Sequence, residues 1–164
     1  MSLSNRRTVL GLLGALPLAA CGFTPVYREG TGARSLRDAV LVDAPKDRAD
    51  FDLVRAVEDR LGRPSAARFG LSVAQSVAQT ALAVQGSADI TRYNLIGSAS
   101  YTLRDLGTNA LVVSGNVDSF TSYSATASTV GTSSAEVDAR RRLSVALGDL
   151  IVSQLLIDVP ETQL

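Results

Sequence analysis

Residues 91–104 alternate. Tyr93, Leu95, Ala99, Tyr101 and Leu103 fall on one side, and Asn94, Ser98, Ser100, Thr102 and Arg104 on the other. A period of two marks a strand with one dry face and one wet face. A strand of this length cannot stand alone. It needs neighbours of similar length and a layer to cover its dry face. Strands of about 14–19 residues reach roughly 45–60 Å at ~3.3 Å per residue, more than a small sandwich requires.

The neighbours are legible on both sides. Residues 68–84 place Leu71, Val73 and Val77 against Ser72, Ala74 and Ser76, after which the apolar set moves to Leu82 and Val84. That phase change predicts a bulge. Gln85 to Asp89 form the connecting turn, and Asp105-Leu106-Gly107-Thr108-Asn109 reads as a hairpin loop. Residues 110–128 form the next strand, with Leu111, Val113 and Val117 on one face. Its second half, Ser119 to Thr129, is dense in Ser, Thr and Ala. This is an exposed edge, a surface that meets another protein, or a plain solvated strand.

Two segments switch to helical spacing. In 48–62 the apolar set is Phe51, Val54, Val57 and Leu61; Asp47 or Asp50 caps the start, and Gly62 with Pro64 ends it. Near the C-terminus, Ser133-Ser134-Ala135-Glu136 has the form of a capping box. Leu143, Ala146, Leu147, Leu150, Ile151 and Leu155 then follow on one stripe until Pro160. Val40-Leu41-Val42, bounded by Pro45, is a short first strand. The order β-α-β-β-β-α predicts an α+β two-layer sandwich: a mostly antiparallel sheet of about four strands with two helices on one face.

The N-terminus has a different character. Arg6 and Arg7 precede an uncharged apolar run from Val9 to Leu18, too short to span a bilayer core of roughly 20 residues. Leu18-Ala19-Ala20-Cys21 closes it. This is the pattern of a lipoprotein signal peptide, with cleavage between Ala20 and Cys21 and lipidation (diacylglycerol and palmitate) at Cys21. Arg6-Arg7 with Thr8-Val9-Leu10 also fits a twin-arginine signal, so the export route stays open. The expected organisation is a signal peptide at 1–20, a lipidated Gly-rich tether at 21–34, a single domain at 35–157 and a tail at 158–164. Cys21 is the only cysteine, so the fold can contain no internal disulfide and rests on its core.

Composition excludes several functions. The chain has no His, which removes Ser-His-Asp and Cys-His catalysis and His-based zinc sites. No glycine-rich phosphate loop is present. Asp50-Phe51-Asp52 and Glu58-Asp59 are the nearest approach to carboxylate pairs, and both sit on a helix surface. Basic and acidic residues balance at 16 each, and without Arg6 and Arg7 the remainder is slightly acidic. Nucleic acid, which demands a concentrated basic face, is not an expected partner. No metal, cofactor or catalytic residue is expected.

The start Cys21-Gly22-Phe23-Thr24-Pro25-Val26-Tyr27 after the lipobox resembles the LptE family, the small lipoprotein partners of the outer-membrane lipopolysaccharide translocon. The likeness continues through Arg92-Tyr93-Asn94-Leu95, Tyr101-Thr102-Leu103, Val113-Ser114-Gly115 and Ser122-Tyr123-Ser124. It ends in Ala135-Glu136-Val137-Asp138-Ala139 and Ile151-Val152-Ser153-Gln154-Leu155, covering nearly all of 18–156. The resemblance implies a non-catalytic lipoprotein on the periplasmic side of the outer membrane. It would plug the β-barrel subunit LptD, assist its assembly and help deliver lipopolysaccharide to the cell surface. Arg92 and Arg104, on or beside the polar face of their strand, are candidate contacts for lipopolysaccharide phosphates. The alternative is an auxiliary lipoprotein of an ABC-type lipid or solute transporter.

Overall fold

A computed structural model describes residues 35–82, 92–125 and 128–159. The signal segment, Ala20, Cys21, the tether, the turn at 85–89 and Pro160 lie outside the described residues. The elements are β1 (Val40–Val42), α1 (Arg48–Leu61), β2 (Phe69–Leu82), β3 (Arg92–Asp105), β4 (Leu111–Ser124) and α2 (Thr129–Asp158). The strands pair in sequence order, β1-β2-β3-β4. β1 runs parallel to β2, and the other pairs are antiparallel. The α+β class, the four mixed strands and the two helices are as the sequence predicts.

α1 forms because its start, apolar stripe and end agree. The Asp47 carboxylate accepts a hydrogen bond from the Asp50 N–H at 2.8 Å, satisfying one of the helix's orphan donors. Leu53, Val54, Ala56, Val57 and Leu61 are buried. Gly62 ends the helix at φ +83°, with its N–H on the Glu58 carbonyl at 2.8 Å. A Cβ at Gly62 would collide with the Asp38 carboxylate, so glycine answers both demands of the site. Phe51, expected on the buried stripe, is 53% exposed, and Leu53 takes its place. The buried stripe runs through Leu53, Val54, Ala56, Val57 and Leu61, on the side where α1 packs against α2.

α2 packs against α1, β3 and β4. Its 30 residues extend about 45 Å at ~1.5 Å per residue, matching three strands of 14 residues at ~3.3 Å each. α1 has 14 residues and covers only part of that length. Leu143, Leu147, Ile151 and Leu155 of α2 are fully buried, together with Phe69, Leu71, Leu95 and Leu103 from the strands. The two helices approach closely at Gly148, where a Cβ would lie 2.9 Å from the Ala56 Cβ.

Four local expectations are corrected. α2 begins at Thr129, not at Ser133: Ser128 is its N-cap and accepts from the Gly131 N–H at 3.3 Å. The supposed capping box lies inside the helix, where Glu136 instead pairs with Arg140 at 2.8 Å. The run of Thr, Gly and Ser hides this first turn because those residues are weak helix formers. Leu150, expected in the core, is 41% exposed, because the stripe that meets the sheet runs through 143, 147, 151 and 155. The bulge lies at Leu103/Arg104 against β4, while β2 pairs with β3 in unbroken register. Leu82 reaches the outer face without any slip; Gln79 to Leu82 are exposed on both faces, so burial imposes no alternation there. At the bulge, Leu103 opposes Val113 and Arg104 opposes Leu111, leaving Val112 as the extra residue. Both Val112 and Val113 pack on the core, whereas Leu111 is 51% exposed.

A bare face of the sheet

Register determines which side chains share the face away from the helices. Ser72, Thr102 and Ser114 form one row across β2, β3 and β4; Ala74, Ser100 and Asn116 form the next; Ser76, Ser98 and Asp118 a third. The fourth row is apolar: Ala78, Ile96 and Phe120. Thr80, Asn94 and Ser122 follow. None of these residues is buried. Phe120 is 75% exposed and Ile96 50%. The face is therefore a field of short hydroxyl and amide side chains crossed by one apolar band.

Part of the field is internally bonded. Ser76 Oγ and Ser98 Oγ lie 2.9 Å apart, and Ser72 Oγ donates to the Asp43 carboxylate at 2.6 Å. Ser100 Oγ reaches the Ala74 carbonyl at 3.5 Å. Along the middle rows a shallow depression of about 410 Å³ is lined by Ser76, Ser98, Ser100, Asn116 and Asp118. Short side chains keep the surface low and present donors and acceptors in two directions. Such a surface suits a polar protein wall better than a greasy one.

Arg92 and Arg104 both project from this face, at opposite ends of β3. Twelve residues separate them, about 40 Å at ~3.3 Å each, so the structure does not bring them together. Arg104 donates to the Asn109 carbonyl at 3.2 Å. The stretch Ser119 to Thr129, read from sequence as polar, is divided among its described residues: Ser122 and Ser124 face outward, Ser119 and Thr121 face the helix layer, and Thr129 opens α2. Ser98, Ser100 and Thr102 were legible as polar strand positions. Their union with Ser72, Ser76, Ser114 and Asn116 required the register.

The opposite end of the sheet is tied by a loop. The Asp105 carboxylate accepts from the Gly107 and Thr108 N–H groups at 2.9 and 2.8 Å. The bonds from Thr108, with help from Gly107 and Arg68, hold its pKa below the ordinary carboxylate value. Burial, with the Glu136 charge, pushes Tyr123 upward, and burial with Asp158 does the same for Tyr101. Tyr123 stacks on Tyr93 at 5.2 Å between centroids. Among the described residues, no three His, Cys, Asp or Glu side chains are placed to hold a metal ion. No described helix is long and apolar enough to cross a membrane.

The same fold occurs in solved lipoprotein structures. A lipoprotein of Caulobacter crescentus superposes with a TM-score of 0.64 at 19% identity, covering 77% of this chain and 94% of that one. Rare lipoprotein B of Shewanella oneidensis gives 0.55 at 14% identity, over 71% and 91% of the two chains. A minor lipoprotein of Acinetobacter baumannii gives 0.53 at 17% identity, over 73% and 89%. No curated protein sequence matches the chain significantly. The fold thus defines a class: small α+β domains with two helices on a four-stranded, mostly antiparallel sheet. Within that class the sequence itself is decisive. Residues 38–155 match the profile of the lipopolysaccharide-assembly family LptE, and the chain belongs to that family.

Proposed function

We propose that this chain is the lipid-anchored, non-catalytic subunit of an outer-membrane lipopolysaccharide translocon, seated in the β-barrel LptD and needed for its assembly. The observation that carries the reading is the bare sheet face. Large outer-membrane barrels have polar interiors. Rows of Ser, Thr and Asn along strands of 14 residues offer such a lumen an extended polar surface. Family membership supports the same role. Arg92, exposed at the start of β3, supplies a charge-assisted contact for a lipopolysaccharide phosphate. Arg104 supplies a separate one once it releases the Asn109 carbonyl. Delivery of lipopolysaccharide outward follows from occupying the translocon.

Affinity purification from detergent-solubilised outer membrane tests the reading. A large β-barrel should co-purify, and depletion should lower the amount of correctly assembled barrel. Recovery with inner-membrane ATPase components instead would favour a transporter auxiliary. Lipidation is tested separately. Cys21→Ala should abolish labelling by a palmitate analogue; labelling that survives the substitution contradicts an anchor at Cys21.

A further inference from the structure

On the side of the molecule away from the bare face, α1 and α2 enclose a cleft of about 390 Å³. Arg48 and Arg55 line it from α1, and Arg140 and Arg141 from α2, with Asp52 the one carboxylate in the lining. Arg140 is paired with Glu136 at 2.8 Å, and Arg55 approaches Asp59 at 3.9 Å. Arg48 and Arg141 have no partner among the described residues. At the cleft's base Ser144 is only 2% exposed. Its Oγ donates to Gln75 Oε1 at 3.2 Å. The Gln75 Nε2 is buried and finds no acceptor among the described residues. Ala49 and Val137 complete the lining. Further along the same seam, Arg60 and Asp149 close the groove with an ion pair at 3.0 Å.

We infer that this cleft is a binding site for a phosphoryl group. Its lining is rich in donors and poor in acceptors. Guanidinium groups make forked contacts to phosphate oxygens, and a phosphoryl group offers several acceptors to several arginines at once. Arg48 and Arg141, one from each helix, carry charges that no described residue pairs, and an anion in the cleft would neutralise them. The volume falls in the range of small-molecule pockets, enough for a phosphorylated headgroup. Ala49 and Val137 add apolar contact suited to the non-polar part of such a ligand. The inference stands apart from the translocon reading, since a chain that met no barrel would still carry this cleft. It is also distinct from Arg92 and Arg104, which lie on the sheet.

The test uses the purified full-length protein in non-ionic detergent. Calorimetric titration is run with pyrophosphate and, separately, with micelles containing phosphatidic acid. Arg48→Gln/Arg141→Gln is compared with Arg37→Gln/Arg63→Gln, which removes the same charge outside the cleft. Binding should weaken by about tenfold or more in the first variant and little in the second. Saturation by pyrophosphate identifies a soluble phosphate ligand, and binding to the micelles alone identifies a lipid headgroup; either supports the site. Absence of binding by both probes overturns it, and so does an equal loss in the two variants. A poly-glutamate peptide that binds equally well through the same arginines assigns the cleft to an acidic protein segment instead. A readout that needs no variant is protection from an arginine-modifying dicarbonyl reagent, read by mass spectrometry. A saturating phosphate probe should shield Arg48 and Arg141 but leave Arg37 and Arg63 reactive. Uniform labelling in the presence of both probes contradicts the proposal.

Discussion

The two faces of the sheet follow opposite rules. Against the helices, Phe69, Leu71, Leu95 and Leu103 are fully buried, and each is large. On the other face β2, β3 and β4 carry Ser72, Ser76, Ser98, Ser100 and Ser114, all exposed. Adjacent residues on one strand therefore do different work. The first set holds the fold together by burying apolar surface. The second contributes little to stability, so it is free to be shaped for a partner. An exposed Ile96 and Phe120 within that polar field fit the same division: a solitary apolar band on a bare face costs solubility and gains nothing until something covers it.

Substitutions sharpen this contrast. The largest loss of stability is expected on the covered side. Leu147 is fully buried between α2 and the sheet, and Leu147→Ala should cost about 2–5 kcal/mol in denaturant unfolding. Melting within a degree of wild type would show that this stripe is not core. Next comes the helix–helix crossing. Gly148→Leu inserts a side chain where even a Cβ would press on Ala56, and overpacking of this kind costs roughly 1–3 kcal/mol. Unchanged stability in the same measurement would mean that α1 and α2 separate easily in solution.

A smaller effect belongs to the Asp105 loop. Its folded-state pKa is depressed, mainly by hydrogen bonds from Thr108. The charged carboxylate therefore stabilises the fold at neutral pH. That contribution begins to fade as pH falls below the ordinary Asp value of about 3.9 and is gone below the folded-state value. Asp105→Asn should lower the melting temperature slightly at pH 7 and reduce the further loss on acidification. A variant as acid-sensitive as wild type would remove Asp105 from the account.

Much of this was legible in the residues. β3 was readable because every second side chain is covered by α2, so burial wrote itself into the pattern. α1 was readable because Asp47 and Gly62 perform local tasks that depend on few distant contacts. The rest depended on tertiary facts. Phe51 and Leu150 are apolar at helical spacing, yet which stripe faces inward is decided by where the other helix lies. Ser128 is an ordinary N-cap hidden among poor helix formers. The extra residue at Val112 preserves no sequence signal, since Leu111, Val112 and Val113 are all apolar. The polar face was half visible: Ser98, Ser100 and Thr102 announce it on one strand, but register alone joins them to β2 and β4. The arginine cleft was invisible, because its four guanidinium groups come from helices some 90 residues apart in sequence. The signal that it offers is the presence of Arg on the helix faces that meet, Arg48 and Arg55 on one and Arg140 and Arg141 on the other.

The central claim is that the bare face serves a partner and not the fold. Ser98→Arg/Ser100→Arg places two long charged side chains in the middle of that face, where neither native residue is buried. Surface changes of this kind usually alter stability by no more than about 0.5 kcal/mol each. The account predicts a variant that melts like wild type yet recovers far less β-barrel partner when purified from the outer membrane. Barrel recovery equal to wild type, from a variant that is stably folded, would contradict it.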